Sequence, residues 1–123
     1  MGNLTVQFFA DDILEAFEFY KKALNASQIS LAKGSQDEPI HLVMDVMGNE
    51  IALAPRSPTE YTKIDSNRSI VVLGLRFDNE EDLMTAYNVL KEGGYADMLK
   101  SFPWSPLEGY LTDKYGVMWC IGL

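Results

Sequence analysis

The stretch Leu4-Thr5-Val6-Gln7-Phe8-Phe9-Ala10-Asp11-Asp12 decides the reading of this chain, because its pattern returns as Ile70-Val71-Val72-Leu73-Gly74-Leu75-Arg76-Phe77-Asp78-Asn79. Each is a short apolar and aromatic run, as strands are, and each ends in side chains suited to cap a helix. Glu15 stands three residues after Asp12, as in a capping box. Ile13, Phe17, Tyr20 and Leu24 then follow at helical spacing, Lys21 and Lys22 suit the helix dipole near its end, and Asn25-Ala26 closes the element. After Asp78-Asn79, the acidic Glu80, Glu81 and Asp82 fill a first turn. Leu83, Ala86, Tyr87 and Leu90 make the apolar face, and Gly93-Gly94 stops the helix.

Three strands are expected after each helix. In the first half they cover residues 27–32, 40–47 and 50–54, with Gly48-Asn49 as the tight turn between the last two. In the second half they cover 95–102, 108–113 and 117–122, with a break at 103–106 and a turn at Gly116. Asp11 and Asp78 stand 67 residues apart, and Gly48 and Gly116 stand 68 apart, so one inserted loop residue reconciles the two halves. Asp45 and Asp113 each stand three residues before a glycine and read as turn residues. The expected fold is α+β, two tandem βαβββ modules whose mixed, curved sheet surrounds a cavity. It forms a single domain over 1–123, with module one at about 1–54, a linker at 55–69 and module two at about 70–123.

A length of 123 residues suits one domain, and 47% hydrophobic with 23% charged residues supplies a core. A net charge of −8 repels phosphate backbones and anionic lipid, which argues against nucleic acid and membrane partners. Cys120 is the single cysteine, so no intrachain disulfide forms and a reducing, cytoplasmic location is expected. The first residues carry no basic start and long apolar run of a signal peptide, and the apolar run at 70–75 is too short to span a bilayer.

Strand alternation sorts the side chains into faces. Val6, Phe8 and Ala10, like Leu73, Leu75 and Phe77, belong under the helices. Thr5, Gln7 and Phe9, like Val72, Gly74 and Arg76, belong on the other face, where a few polar groups in an apolar hollow suit a ligand.

The paired βαβββ pattern, the stretch Ala16-Phe17-Glu18-Phe19-Tyr20-Lys21-Lys22-Ala23-Leu24 and the tail Trp104…Gly109-Tyr110-Leu111-Thr112-Asp113-Lys114-Tyr115-Gly116-Val117-Met118-Trp119 resemble the vicinal oxygen chelate superfamily. That superfamily includes glyoxalase I, bleomycin resistance proteins and extradiol dioxygenases. The tail is most similar to the PhnB-like branch, with Tyr115 where that branch has Phe. In the family's metalloenzymes each module gives two metal ligands. Carried over, their positions are Thr5 and Ala52, then Val72 and Cys120. A divalent ion needs several converging His or carboxylate donors, which these residues do not provide, so no metal and no cofactor are expected. A register shift of two residues keeps the face and brings in Gln7 and Glu50.

The resemblance therefore implies a metal-free protein that binds an unknown small molecule, and a homodimer. The alternatives are a metal-dependent enzyme of the glyoxalase or dioxygenase kind with non-standard ligands, and a ligand-free dimeric interaction domain. The reading leans against an enzyme because the aligned metal positions lack donors; the one histidine, His41, has no aligned Ser or Cys partner, and the absence of a glycine-rich nucleotide loop leaves a methyltransferase without support. The cavity candidates are Gln7, Phe9, Glu50, Arg76, Trp104, Met118 and Cys120. Arg76 suits a carboxylate or phosphate, or else pairs with Glu50 or another acid. Trp104 suits stacking on a flat ligand. Trp119 alternates to the helix side and reads as core.

Overall fold

The computed structural model describes residues 2, 4–56 and 71–123, in two compact units, Met1–Lys63 and Ile64–Leu123. The expected linker at 55–69 lies, from residue 57 on, outside the described residues, as does Ile70. The chain is α+β. The first unit runs β1 (Val6–Ala10), α1 (Ile13–Leu24), β2 (Ser27–Lys33), β3 (Pro39–Val46) and β4 (Asn49–Pro55), with its four strands in the order β1-β4-β3-β2. The second runs β5 (Leu73–Arg76), α2 (Glu80–Leu90), β6 (Tyr95–Ala96), β7 (Lys100–Phe102), β8 (Ser105–Thr112) and β9 (Met118–Gly122). Its path is β5-β9-β8-β6, with β7 also on β8. In each unit the first and last strands pair in parallel and the other pairings are antiparallel.

The helices begin where the sequence supplies acceptors. Asp12 Oδ1 accepts from the Leu14 and Glu15 amides at 3.1 Å each, and Asn79 Oδ1 accepts from Asp82 N at 2.8 Å. Asn25 ends α1 in the left-handed region, with φ 56°. The face of α1 is wider than its spacing suggests, because Ala16, Phe19 and Ala23 are buried beside Ile13, Phe17, Tyr20 and Leu24. It packs on β1, β3 and β4, where Phe8, Leu42, Met44 and Leu53 are buried. Phe8 and Tyr20 lie 5.5 Å apart between ring centres. On α2, Leu83, Ala86, Val89 and Leu90 are buried. Tyr87 is half-buried instead, and its hydroxyl donates to the Asp97 carbonyl at 2.9 Å. Burying each large apolar side chain contributes roughly 1.5–3 kcal/mol.

The strand registers locate the inserted residue. Gln7 pairs with Ala52 and Gly74 with Cys120, while Val43 pairs with Ala52 and Tyr110 with Cys120. The offset between units is thus 67 up to the last hairpin and 68 beyond it. The extra residue sits in that hairpin. The β3–β4 loop is Met47-Gly48, closed by Val46 opposite Asn49, whereas the β8–β9 loop is Lys114-Tyr115-Gly116, closed by Asp113 N donating to the Val117 carbonyl. Two expectations are corrected here. The first turn is Met47-Gly48 rather than Gly48-Asn49, with both φ values positive (54° and 83°), as a two-residue hairpin twisting with its strands requires. Asp45 is also not the structural counterpart of Asp113, which falls on Val46 instead.

The two aspartates consequently do different things. Asp45 lies on the open face, and its carboxylate accepts from Gly48 N at 3.3 Å. Asp113 turns under the sheet and is buried. There it accepts from Tyr115 N at 2.9 Å, Val117 N at 3.1 Å and the Trp119 indole N–H at 2.9 Å. Trp119 is core, as its alternation predicts.

The expected strand at 95–102 is broken in two. Five residues, Ala96 to Lys100, run opposite the four from Leu111 to Glu108, so one residue bulges out of the ladder. Gly109 lets the bulge lie down: a Cβ there would sit 3.0 Å from Leu99 Cδ2 and 3.3 Å from the Met98 carbonyl. The expected break at 103–106 is shorter, with β8 resuming at Ser105. The first strands are trimmed to Val6 and Leu73 at their starts.

Two substitutions test this account in denaturant unfolding. Met47→Asn replaces a residue that holds a positive φ at a cost by one that tolerates it, and raises stability by up to about 1 kcal/mol. Asp113→Ala leaves the buried indole N–H and two loop amides without their acceptor and costs about 2–4 kcal/mol.

Candidate functional site

The open face of the second unit is a ladder of three strands with β9 in the middle. Gly122 lies between Arg76 on β5 and Glu108 on β8, and Cys120 lies between Gly74 and Tyr110. Gly122 is what allows charge to meet here. A Cβ at that position would stand 2.6 Å from Arg76 Nη1 and 3.1 Å from Glu108 Cβ. With hydrogen in its place, two side chains from strands that are not neighbours reach across and form an ion pair.

Glu108 is the centre of the arrangement. It is only 4% exposed. Oε2 accepts from the Trp104 indole N–H at 3.0 Å, and Oε1 faces the Arg76 guanidinium in a charge contact without hydrogen-bond alignment. The Trp104 hydrogen bond, followed by Arg76, holds the carboxyl below the ordinary 4.5, against burial that pushes it up. Burial and then the Glu108 charge push the Cys120 thiol above the ordinary 9.0, so it stays protonated near neutrality and is a poor nucleophile. Trp104 reaches Glu108 from the β7–β8 turn and stacks on Phe102, ring centres 5.1 Å apart and planes 16° from parallel. Its ring is exposed on the outside.

The bulge and this carboxylate border one cleft of about 350 Å³. Its walls are Asp97, Met98, Lys100, Phe102, Glu108 and Tyr110, and Gly109 completes the lining. A sheet edge that would otherwise be flat is hollowed by its one extra residue.

Of the sequence candidates, the structure brings Arg76, Trp104 and Cys120 around Glu108 and places Met118 on the same face, opposite Thr112. Gln7, Phe9 and Glu50 lie on the corresponding face of the first unit, Gln7 beside Ala52, Phe9 beside Ala54 and Glu50 beside Asp45. His41 is on that face too, two residues from Val43. The partner of Arg76 is Glu108, not Glu50. Sequence reading missed Glu108, Tyr110, Phe102 and the polar pair Asp97 and Lys100. A signal existed for the first two: alternation along 108–113, antiparallel to 117–122, puts Glu108 and Tyr110 on the face of Cys120.

The residues at the four inherited metal positions do not fit a metal. Thr5 precedes β1 and is exposed, and Val72 precedes β5. Ala52 offers no donor, and Cys120 offers a thiol that burial keeps protonated. Gln7 stands opposite Ala52 and Glu50 opposite Asp45, and among the described residues no three His, Cys, Asp or Glu side chains converge.

The depressed acidity of Glu108 sets a pH dependence. Its ion pair and indole hydrogen bond stabilise the fold fully above about pH 4.5, and that contribution fades as pH falls through the lower folded value. Between about pH 5 and 3 the wild type should lose more melting temperature than Glu108→Gln, measured by circular dichroism in matched buffers.

The fold has solved relatives. A protein from Bacillus cereus titled putative 3-demethylubiquinone-9 3-methyltransferase, PhnB protein, is 23% identical with a TM-score of 0.78, covering 99% of each chain. Protein PA1353 from Pseudomonas aeruginosa is 20% identical with a TM-score of 0.71, covering 98% of this chain and 97% of its own. The fosfomycin resistance protein FosX from Listeria monocytogenes, complexed with Mn(II) and sulfate, is 12% identical with a TM-score of 0.71, covering 98% and 89%. No protein with a curated description matches. The sequence pattern of the Glyoxalase/Bleomycin resistance protein/Dioxygenase superfamily matches residues 4–121, nearly the whole length, and the chain belongs to that superfamily.

Proposed function

We infer that this protein binds a small organic molecule without a metal, in the cleft beside Glu108, and acts by holding it rather than by transforming it. The cleft carries this reading. It is a hollow of about 350 Å³ that combines aromatic surface from Phe102 and Tyr110 with a few polar groups, the usual make-up of a small-molecule site. The donor-poor metal positions argue against the family's metal chemistry. The protonated Cys120 thiol argues against covalent chemistry. Gln7, Phe9 and Glu50 are part of the proposal as the open face of the first unit, where a ligand would find one amide, one ring and one carboxylate. Homodimer formation belongs to the same reading, and light scattering checks it against the 13.8 kDa chain mass. Residence in the cytoplasm is also part of it. The single cysteine suits that location, and among the described residues no helix is long and apolar enough to cross a membrane.

Two measurements test the reading. Purified protein, supplied in turn with Mg, Mn, Fe, Ni and Zn and then desalted, should retain no stoichiometric metal by mass spectrometry. A thermal-shift screen of small metabolites and antibiotics should give hits that raise the melting temperature by about 10 °C at a hundredfold excess over Kd. Tyr110→Ala should abolish the rise. A retained equivalent of metal would favour the metalloenzyme, and a screen without hits would favour a ligand-free interaction domain.

A further inference from the structure

We propose that the ligand of this cleft carries a cationic N–H donor, an amine, amidinium or guanidinium, that seats on Glu108 while a flat apolar portion lies across Phe102 and Tyr110. This rests on the small-molecule reading above and adds the chemical class. The first observation is a buried carboxylate with one oxygen well hydrogen-bonded and the other held only by a misaligned ion pair. Glu108 is buried and its Oε2 takes the Trp104 indole N–H, while its Oε1 meets the Arg76 guanidinium in an ion pair that lacks hydrogen-bond alignment, with the Cys120 thiol beside the carboxylate. A buried acceptor without a well-aligned donor is costly, and a ligand that supplies one recovers that cost.

The second observation is what now stands near that oxygen. Arg76 offers charge without alignment, its side chain is 55% exposed, and its other tie is a long 3.4 Å contact to the Leu123 carbonyl. The half-exposed Arg76 side chain can swing to solvent once another cation takes its place at the buried carboxylate. A ligand cation arriving from the cleft would exchange with it and form a charge-assisted hydrogen bond in less water.

The third observation decides the sign. The cleft wall holds two carboxylates, Asp97 and Glu108, against one ammonium, Lys100, and Arg76 is not among the wall residues. An anion would meet both carboxylates at short range and the −8 charge of the chain at long range, whereas a cation is drawn in by both. The exposed faces of Tyr110 and Trp104 add cation–π attraction in the same direction.

The test uses the full chain, ¹⁵N-labelled, and three isosteric probes that differ in charge: benzamidinium, benzamide and benzoate. The Trp104 indole N–H reports at Glu108, and the Trp119 indole, bound to Asp113, serves as the internal reference. Benzamidinium should shift the Trp104 indole together with the Gly109 and Tyr110 amides, saturably, and bind about tenfold more tightly than benzamide or benzoate. Glu108→Gln, which keeps an acceptor for the indole, should weaken benzamidinium about tenfold and leave benzamide unchanged. Equal binding of all three probes, a preference for benzoate, or undiminished benzamidinium binding by the variant overturns the cationic class while leaving the cleft as a binding site. The absence of any cleft shift with any probe overturns both.

Discussion

A strand that pairs in parallel with a later strand of its own unit cannot be joined to it by a tight turn, so the chain must cross over one face of the sheet before it returns. In both units the first strand is tied in this way to the last, Gln7 beside Ala52 and Gly74 beside Cys120. The crossing begins with a helix, which buries one face and leaves the other open. The remaining strands then fill in as antiparallel neighbours. The parallel pairing also puts the last strand in the interior of the path, between the first strand and the hairpin partner. Its open-face residues therefore form the floor of whatever hollow the unit has. Those residues are small toward the end of each strand: Ala52 and Ala54 in one unit, Cys120 and Gly122 in the other.

A small floor permits different superstructures. In the second unit Gly122 is flanked by Arg76 and Glu108, whose side chains close over it. The equivalent position in the first unit is Ala54, flanked on β1 by Phe9, and the 67-residue offset that carries Val43 onto Tyr110 carries His41 onto Glu108. One framework thus holds an ion pair with a buried carboxylate in one copy and an aromatic ring with an imidazole in the other. The difference follows from side chains alone. Burying a carboxylate requires compensation, and Glu108 has it from the Trp104 indole and the Arg76 charge. The first unit places no acid at that rung and needs none.

The parts of the fold that follow from periodicity could be read from the residues. The repeat, both helix starts and the division of each first strand into a buried and an open face all rest on spacing, and spacing is local. What escaped depends on how two strands meet. The bulge opposite Gly109 arises because one strand has a residue too many for its partner, a comparison no single segment contains. The turn at Met47-Gly48 moved by one residue because pairing of Val46 with Asn49, rather than the preference of Asn for turns, fixed the loop. Asp45 and Asp113 share a distance to glycine and look equivalent, yet the inserted residue throws them to opposite faces. As a functional residue Glu108 is not legible in the sequence, because a lone acid inside a strand carries no motif. Its importance comes from Gly122, fourteen residues later.

The same framework explains why the fold does not depend on metal donors at the four family positions. The four inherited positions lie on the open face or just before it, and the buried apolar side chains on the helix side carry the packing. A donor on the open face can be exchanged for alanine or valine without leaving a cavity in the core, so that face is free to change while the helix side is not. A carboxylate metal ligand carries charge that a cation must balance. The second unit instead keeps one buried carboxylate and balances it with its own arginine, which lies near the surface. A protein-borne counter-charge that is half exposed is the feature on which the proposed exchange for a ligand cation rests.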